Sequence, residues 1–577
     1  MKYGCDVSGS GQAPLFDYAS YDYLCESGRY DEALIGITKF LTGNPTHIAA
    51  LDLAAICLYG MQGKRDIRTV SRNGDRPIDR AAAMNELGCW FYARGRLDLA
   101  EQAYRRALSL RPDWPFVMTN LGIVVRDQRR EREAEAIFQR ALAIAPDDAR
   151  AHNSYGVVLW RLKQVARAER EYREAIRLQA GFRDAYNNLG LLLTECNRLS
   201  EAEEMIRQSL AVGGATPEAC NNLGSVLMQQ GRVREAVDAY RKALALRPGY
   251  VAAKANLALP LLATGEYREG WALYEARHDP SLAMHFTQAP RVAWPRWNGE
   301  PLAGKSLLVW PELGYGDVLQ FCRYLMLLKA RGVGRLSIAC QPALERLLRS
   351  LEGIDAVYPL DGQAQIPQHD FWCFVMSLPH LCGTTVETIP APMPYLRAPA
   401  DLVTMWRRRL PAGDFRVGIV WAGNPRLHAL ASNAFDQRRS MSPQMLLPIL
   451  RTPGVTFVSL QKGETTQPQI SSLRPELQPF DPMDDVQDFA DTAAIIECLD
   501  LVIAVDTSVV HVAGALNKPV WILSRYDACW RWLRDRDDSP WYPRARLFRQ
   551  TEPGNWSDVA GRVADELAKL VRPAAPA

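Results

Sequence analysis

Five glycines, Gly88, Gly122, Gly156, Gly190 and Gly224, follow one another at intervals of 34 residues, and that period constrains the fold more than any other feature. Ala100, Ala134, Ala168, Ala202 and Ala236 keep the same step. So do Tyr104, Phe138, Tyr172, Ile206, Tyr240 and Tyr274, and a further column of Ala107, Ala141, Ala175 and Ala243. Pro112, Pro146 and Pro248 close three of the units. Each unit reads as two antiparallel helices: the small residues allow close approach, the aromatic fills the gap, and the proline stops the second helix. One such pair cannot bury its own apolar face, so neighbouring pairs must stack. Six units run from about residue 81 to 284, residues 24–34 echo residues 92–102, and 48–80 reads as a degenerate unit.

These columns resemble those of the tetratricopeptide-repeat family, which implies an all-α superhelix with a concave groove over residues 14–284. Asn120, Asn188, Asn222 and Asn256 share one column, interrupted by Ser154, and Asn153, Asn187 and Asn221 share a second. An asparagine amide both donates and accepts, so a ladder of them can hold an extended peptide by its backbone. The same amides can instead tie adjacent repeats together. The ladder is similar to that of the protein O-GlcNAc transferases, which implies a peptide or protein in the groove.

Other classes are disfavoured. A net charge of +3, from 68 basic and 65 acidic residues interleaved along the chain, gives no electrostatic footprint for nucleic acid. The opening MKYGCDVSGSGQ has no apolar signal core, and no run of about 18 apolar residues occurs, so neither a leader nor a membrane span is expected. The twelve cysteines show no zinc spacing, and Cys340 and Cys498 read as buried thiols. The expected location is the cytoplasm.

After a connector at 279–300 the pattern changes. Short apolar runs at 305–310, RLSIAC and AVYPL alternate with helical stretches, one of them DVLQFCRYLMLLKARG. A second set at 416–423, 455–463, 501–506 and 519–524 does the same. Alternating strand and helix implies parallel sheets covered on both faces. Two such Rossmann-like lobes resemble the GT-B architecture of glycosyltransferases, with an acceptor-side lobe at 285–410 and a nucleotide-sugar lobe at 411–577. In such sheets ligands sit beyond the carboxyl ends of the strands.

The segment 502–523 carries Asp506, Thr507 and Ser508 at a strand end and His511 one turn into the next helix. A helix start favours an anion, and Ser508 and His511 can bond a diphosphate, although a Ser/Thr cap and a structural histidine have the same pattern. The segment resembles the donor motif of heptosyltransferase-like family 9 glycosyltransferases, with Ser508 in place of the usual glycine. Asn424, Arg439, Ser440, Gln461, Lys462 and Glu464 follow two other strands, and Phe489 precedes the Asp506 strand. Cations suit a departing pyrophosphate. The resemblance implies Glu464 on the ribose and the Phe489 segment at the nucleobase.

In the first lobe Gly314, Tyr315 and Gly316 precede Asp317 at a helix start. The aspartate is a favoured helix cap, and the family resemblance makes it the catalytic base as well. The reading is therefore an inverting glycosyltransferase acting on protein Ser or Thr, with Gly314, Tyr315 and Gly316 on the acceptor side. No metal or other cofactor is expected, although Asp484 and Asp485 lie together in one loop. By analogy with other repeat-bearing transferases, flagellin or an adhesin is the implied acceptor. The alternatives are a non-catalytic repeat scaffold and a transferase acting on lipopolysaccharide core sugar.

Overall fold

A computed structural model of the chain describes residues 16–27, 29–61, 79–282, 289–312, 314–424, 436–527 and 529–571. The chain divides into two compact units, Met1–Ala215 and Thr216–Ala577. The first is all helical. Helices Tyr18–Glu26, Tyr30–Gly43 and Ile48–Met61 precede four helix pairs that run from Arg80–Ala93 with Leu97–Leu110 to Arg183–Glu195 with Leu199–Gly213. Of the degenerate unit expected at 48–80, residues 62–78 lie outside the described residues.

The 34-residue period has a steric cause. A Cβ built on Gly88 would stand 2.5 Å from the Tyr104 ring, and one on Gly122 2.7 Å from Phe138. Gly156 meets Tyr172 and Gly190 meets Ile206 in the same way, at 2.6 and 2.5 Å. The glycine column and the aromatic column are therefore the two halves of one contact, in which only a hydrogen leaves room for the ring. Along Val165–Leu178 the buried set is Ala168, Tyr172 and Ala175, a stripe at helical spacing. Pro112 and Pro146 each stand two residues beyond a helix end, as stop signals should.

The second unit opens on two more pairs, Pro217–Gln229 with Val233–Leu246 and Val251–Thr264 with Tyr267–Tyr274. Gly224 and Tyr240 repeat the contact at 2.6 Å. The α/β region follows. Strands β1 (Ser306–Trp310), β2 (Arg335–Cys340), β3 (Ala356–Pro359) and β4 (Phe371–Phe374) form a parallel sheet in the order β3-β2-β1-β4. Strands β5 (Arg416–Val420), β6 (Thr456–Ser459), β7 (Leu501–Val505), β8 (Val520–Ser524) and β9 (Ala545–Arg549) form a second, in the order β6-β5-β7-β8-β9, again all parallel. β7 and β8 are buried along their whole length, as strands covered on both faces must be.

Two expectations need correction. The stretch read as one helix after β1 is two, Tyr315–Phe321 and Tyr324–Ala330. The break lets Arg323 turn and donate from Nη1 to the Trp541 carbonyl at 2.7 Å. The strand count is also short by two: the first sheet carries β4 and the second the edge strand β9, where Ala545 and Leu547 are buried and Arg546 is exposed. One apolar core runs through this unit, taking in Leu262 and Trp271 of the last repeat, Leu307 and Phe321 beside the first sheet, and Val502 and Ile522 of the second.

Candidate functional site

Gly314 caps the helix Tyr315–Phe321, and its N–H donates to Asp317 Oδ2 at 2.8 Å. The other carboxylate oxygen of Asp317 pairs with Arg531, which comes from the segment after β8. Both side chains are largely buried. The Arg531 Nε donates to Gln320 Oε1 at 2.8 Å, its Nη1 lies 3.3 Å from Cys529 Sγ, and its guanidinium covers the Trp530 ring at 4.3 Å. Burial works against the Arg531 charge, but the Asp317 carboxylate outweighs it and holds the guanidinium above its ordinary range.

Across from this pair, Asp506 and Thr507 follow β7, and Thr507 precedes the helix Ser508–Ala515 without a side-chain bond to it. His511 is buried, its Nδ1 is 2.9 Å from the Tyr542 hydroxyl, and its ring stacks on Trp532 at 5.6 Å. The helices that follow β1 and β7 touch at Gly316, where a Cβ would stand 2.7 Å from His511 Cδ2 and 3.6 Å from Ser508 Cα. A side chain at 316 would force these two helices apart.

Burial, and after it the positive Arg531, push the His511 imidazole down to about 3. The ring is neutral when folded, whereas the unfolded chain takes up a proton near the usual 6.5. Its contribution to stability is therefore complete above about pH 6.5 and is lost as the pH falls towards 3. Urea unfolding should show this directly: from pH 7 to pH 5 the wild-type protein should lose about 2 kcal/mol more than His511→Gln. Equal losses in the two proteins would refute the buried neutral ring.

The other strand ends are stitched to the same place. Arg439 donates from Nη1 to the Asp506 carbonyl at 3.1 Å and from Nε to Asp436 Oδ1 at 2.9 Å. The Ser440 hydroxyl accepts from Gly423 N–H at 3.0 Å, and Asn424 is exposed beside it. Residues 425–435 of that polar loop lie outside the described residues. Gln461 is buried: its Oε1 accepts from the backbones of Trp421 and Ala422 at 3.1 and 2.9 Å, and its Nε2 donates to Thr466 Oγ1 at 2.9 Å. Lys462 donates to the carbonyls of Met483, at 3.3 Å, and Val486. Both brace loops, Gln461 from a buried position and Lys462 from an exposed one, and Glu464 is exposed. Phe489 opens the helix before β7, and its ring lies 5.0 Å from that of Tyr315.

The asparagine columns are engaged between repeats. Asn120 donates to Asn85 at 2.9 Å, Asn188 to Asn153 at 3.0 Å and Asn256 to Asn221 at 2.9 Å. Asn222 stands next to Asn221 in the second unit. Among the described residues no group of three or more His, Cys, Asp or Glu is placed to hold a metal ion, and no helix is long and apolar enough to cross a membrane.

Two features escaped the sequence reading. One is Arg531, an arginine among tryptophans with no motif around it. The other is a buried ion network at the ends of β1 and β4, where Arg277 grips Glu312 at 3.0 and 2.9 Å, while Arg296 pairs with Glu275 at 2.6 Å. Burial pushes the Glu312 carboxyl above its usual range against the pull of Arg277.

Comparison with known proteins places the helical part. Tetratricopeptide-repeat family models match residues 81–114, 119–181, 183–214 and 217–250. Among curated proteins the chain is similar to Protein FlbA of Caulobacter vibrioides, 30% identical over 325 residues, which is 52% of each chain. The match thus spans about half the length of that relative. Among solved structures it is similar to a thermophilic tetratricopeptide-repeat protein of Thermus thermophilus, at 24% identity and TM-score 0.29, covering 32% of this chain and 99% of that one. It is also similar to YrrB, described as a tetratricopeptide-repeat protein with an unusual peptide-binding site, at 20% identity and TM-score 0.26, covering 32% and 94%. The chain therefore carries tetratricopeptide repeats in its N-terminal part, followed by an α/β region with two parallel sheets.

Proposed function

We propose that the α/β region is a glycosyltransferase module of the GT-B type, moving a sugar from a nucleotide-sugar to a hydroxyl of a protein held by the repeats. The observation that carries this reading is the contact of Gly316 with His511 and Ser508. It sets the carboxylate-bearing helix start after β1 against a helix start and a neutral histidine after β7. Ligands of parallel sheets collect at such strand ends.

In the proposed reaction the donor phosphates lie at the amino end of Ser508–Ala515, where backbone N–H groups and the helix dipole favour an anion. Thr507, Ser508 and His511 supply further hydrogen bonds. An acceptor hydroxyl attacks the anomeric carbon, and its proton passes to Asp317. The new C–O bond forms as the bond to the phosphate oxygen breaks, and the nucleotide leaves with that electron pair, so the configuration inverts. Fixed arginines stabilise the leaving charge, and no metal ion is required. On the repeats, half-buried Asn188 and Asn256 each give one amide N–H to a neighbouring asparagine and keep a second for a peptide backbone.

A thermal-shift panel with ADP, UDP, GDP, CDP and CMP, each with and without EDTA, tests the donor site. One nucleotide at 100 times its dissociation constant should stabilise the protein by about 2.7 kcal/mol, with no effect of EDTA. Silence across the panel would select the scaffold reading, which has the engagement of Asp317 by Arg531 in its favour.

A further inference from the structure

We propose that Arg531 changes partners during the reaction, holding Asp317 while the donor site is empty and passing to the nucleotide phosphates once a donor binds, so that Asp317 is free to take a proton only with donor in place. This rests on the donor site proposed above.

The pairing creates a chemical problem that the exchange solves. A carboxylate whose two oxygens already hold partners has to release one before it can meet a new donor. In Asp317 one oxygen accepts from the Gly314 N–H and the other is held by Arg531, so neither is left for an acceptor hydroxyl. Arg531 is nevertheless not locked to it. Among the described residues its Nη1 meets just the Cys529 sulfur, a weak acceptor. A phosphate carries more negative charge than one carboxylate and matches the guanidinium fork, so a phosphate that comes within reach competes well for it.

The phosphates would arrive within that reach. The positive charge of Arg531 is felt by His511, and Gly316, one residue from Asp317, packs on His511 and Ser508. Around this point several buried polar groups lack partners among the described residues. Gln320 is fully buried, and while its Oε1 accepts from Arg531, its Nε2 has no hydrogen-bond partner among the described residues. The same holds for the hydroxyl of Thr507 and for Nε1 of Trp532, whose ring stacks on His511. Buried donors without acceptors are rare in native folds, and an anion is the group that would satisfy several at once. The consequence is an order of events: donor first, acceptor deprotonation second, which protects the base from idling on water.

Calorimetric titration of ADP, UDP, GDP, CDP and CMP into wild type, Asp317→Asn, Arg531→Gln and the double variant tests the exchange. Asparagine keeps the acceptor for the Gly314 N–H but releases the guanidinium, so Asp317→Asn should bind the responding nucleotide about tenfold more tightly. Arg531→Gln should bind it at least about tenfold more weakly. In the double variant the tightening should vanish, because its agent is gone. Should Arg531→Gln fail to fold, Arg531→Lys, which keeps the charge but lacks the fork, should show the weaker binding and a reduced tightening by Asp317→Asn. Unchanged affinity in Asp317→Asn, or tightening that persists without Arg531, overturns the exchange and leaves the transferase standing. A wild-type protein that binds none of the five nucleotides overturns both.

Discussion

Asp317→Asn should lower sugar transfer by about 10²–10⁴-fold, the usual contribution of a positioned general base. The substitution removes the proton acceptor and little else from the local structure. Asparagine can still accept from the Gly314 N–H, so the helix Tyr315–Phe321 keeps its cap. The loss it does bring is electrostatic: Arg531 is left buried without its counter-charge, and removing one partner of a buried pair destabilises by about 3–5 kcal/mol. Transfer must therefore be measured per folded molecule, by mass spectrometry of the acceptor at a temperature well below the variant's melting point. Asp355→Asn is the matched control. Its carboxylate also accepts a backbone N–H, from Leu336 at 2.7 Å, and also pairs with a cation, Lys329 at 2.6 Å, but it stands at the far side of the first sheet. An Asp317→Asn protein that kept more than a tenth of its turnover would remove Asp317 from the role of base.

The repeats were legible because their period is a packing constraint written once per unit. Gly122 and Phe138 lie sixteen residues apart in sequence and in contact in space, and the same spacing recurs at Gly156 and Tyr172. Strands such as β7 and β8 were legible as unbroken apolar runs, which only a two-sided cover explains. Two strands were not. β4 is four residues long and three of them are aromatic, and β9 sets two arginines among apolar residues at a sheet edge, which reads as loop until a neighbour supplies the hydrogen bonds. The break at Arg323 is likewise tertiary, since its cause is a carbonyl 218 residues away. For the site, residue type and strand-end position pointed to Asp317 and His511. Partnership did not follow from either. Arg531 meets Asp317 across 214 residues, and Gln461, polar and near the right strand end, turns inward to brace β5. A strand end says where polar side chains gather, but which of them face a ligand depends on how many backbone groups need them first.

Trp271→Ala should destabilise the unit Thr216–Ala577 by about 3–5 kcal/mol and reduce transfer beyond the loss of folded protein. Trp271 is 1% exposed and stands edge-on to four rings: Trp530 at 5.2 Å, Phe321 and Tyr267 at 5.8 Å, and Tyr274 at 5.9 Å. Edge-to-face pairs add about 0.5–1.5 kcal/mol each to the burial itself, so the truncation removes contact on every side. Two of those rings belong to the proposed chemistry at one remove. Phe321 ends the helix that begins beside Asp317, and Trp530 lies under the guanidinium of Arg531. The last repeat therefore does more than continue the array; it supplies the wedge against which both members of the ion pair are set. Trp271→Phe keeps a ring and should recover more than half of the stability, with the pair still aligned. Urea unfolding of the two variants, read beside their nucleotide affinity, separates the roles. If Trp271→Ala cost less than about 1 kcal/mol, the cluster would be tolerant of the cavity and the last repeat would not be what positions Asp317 and Arg531.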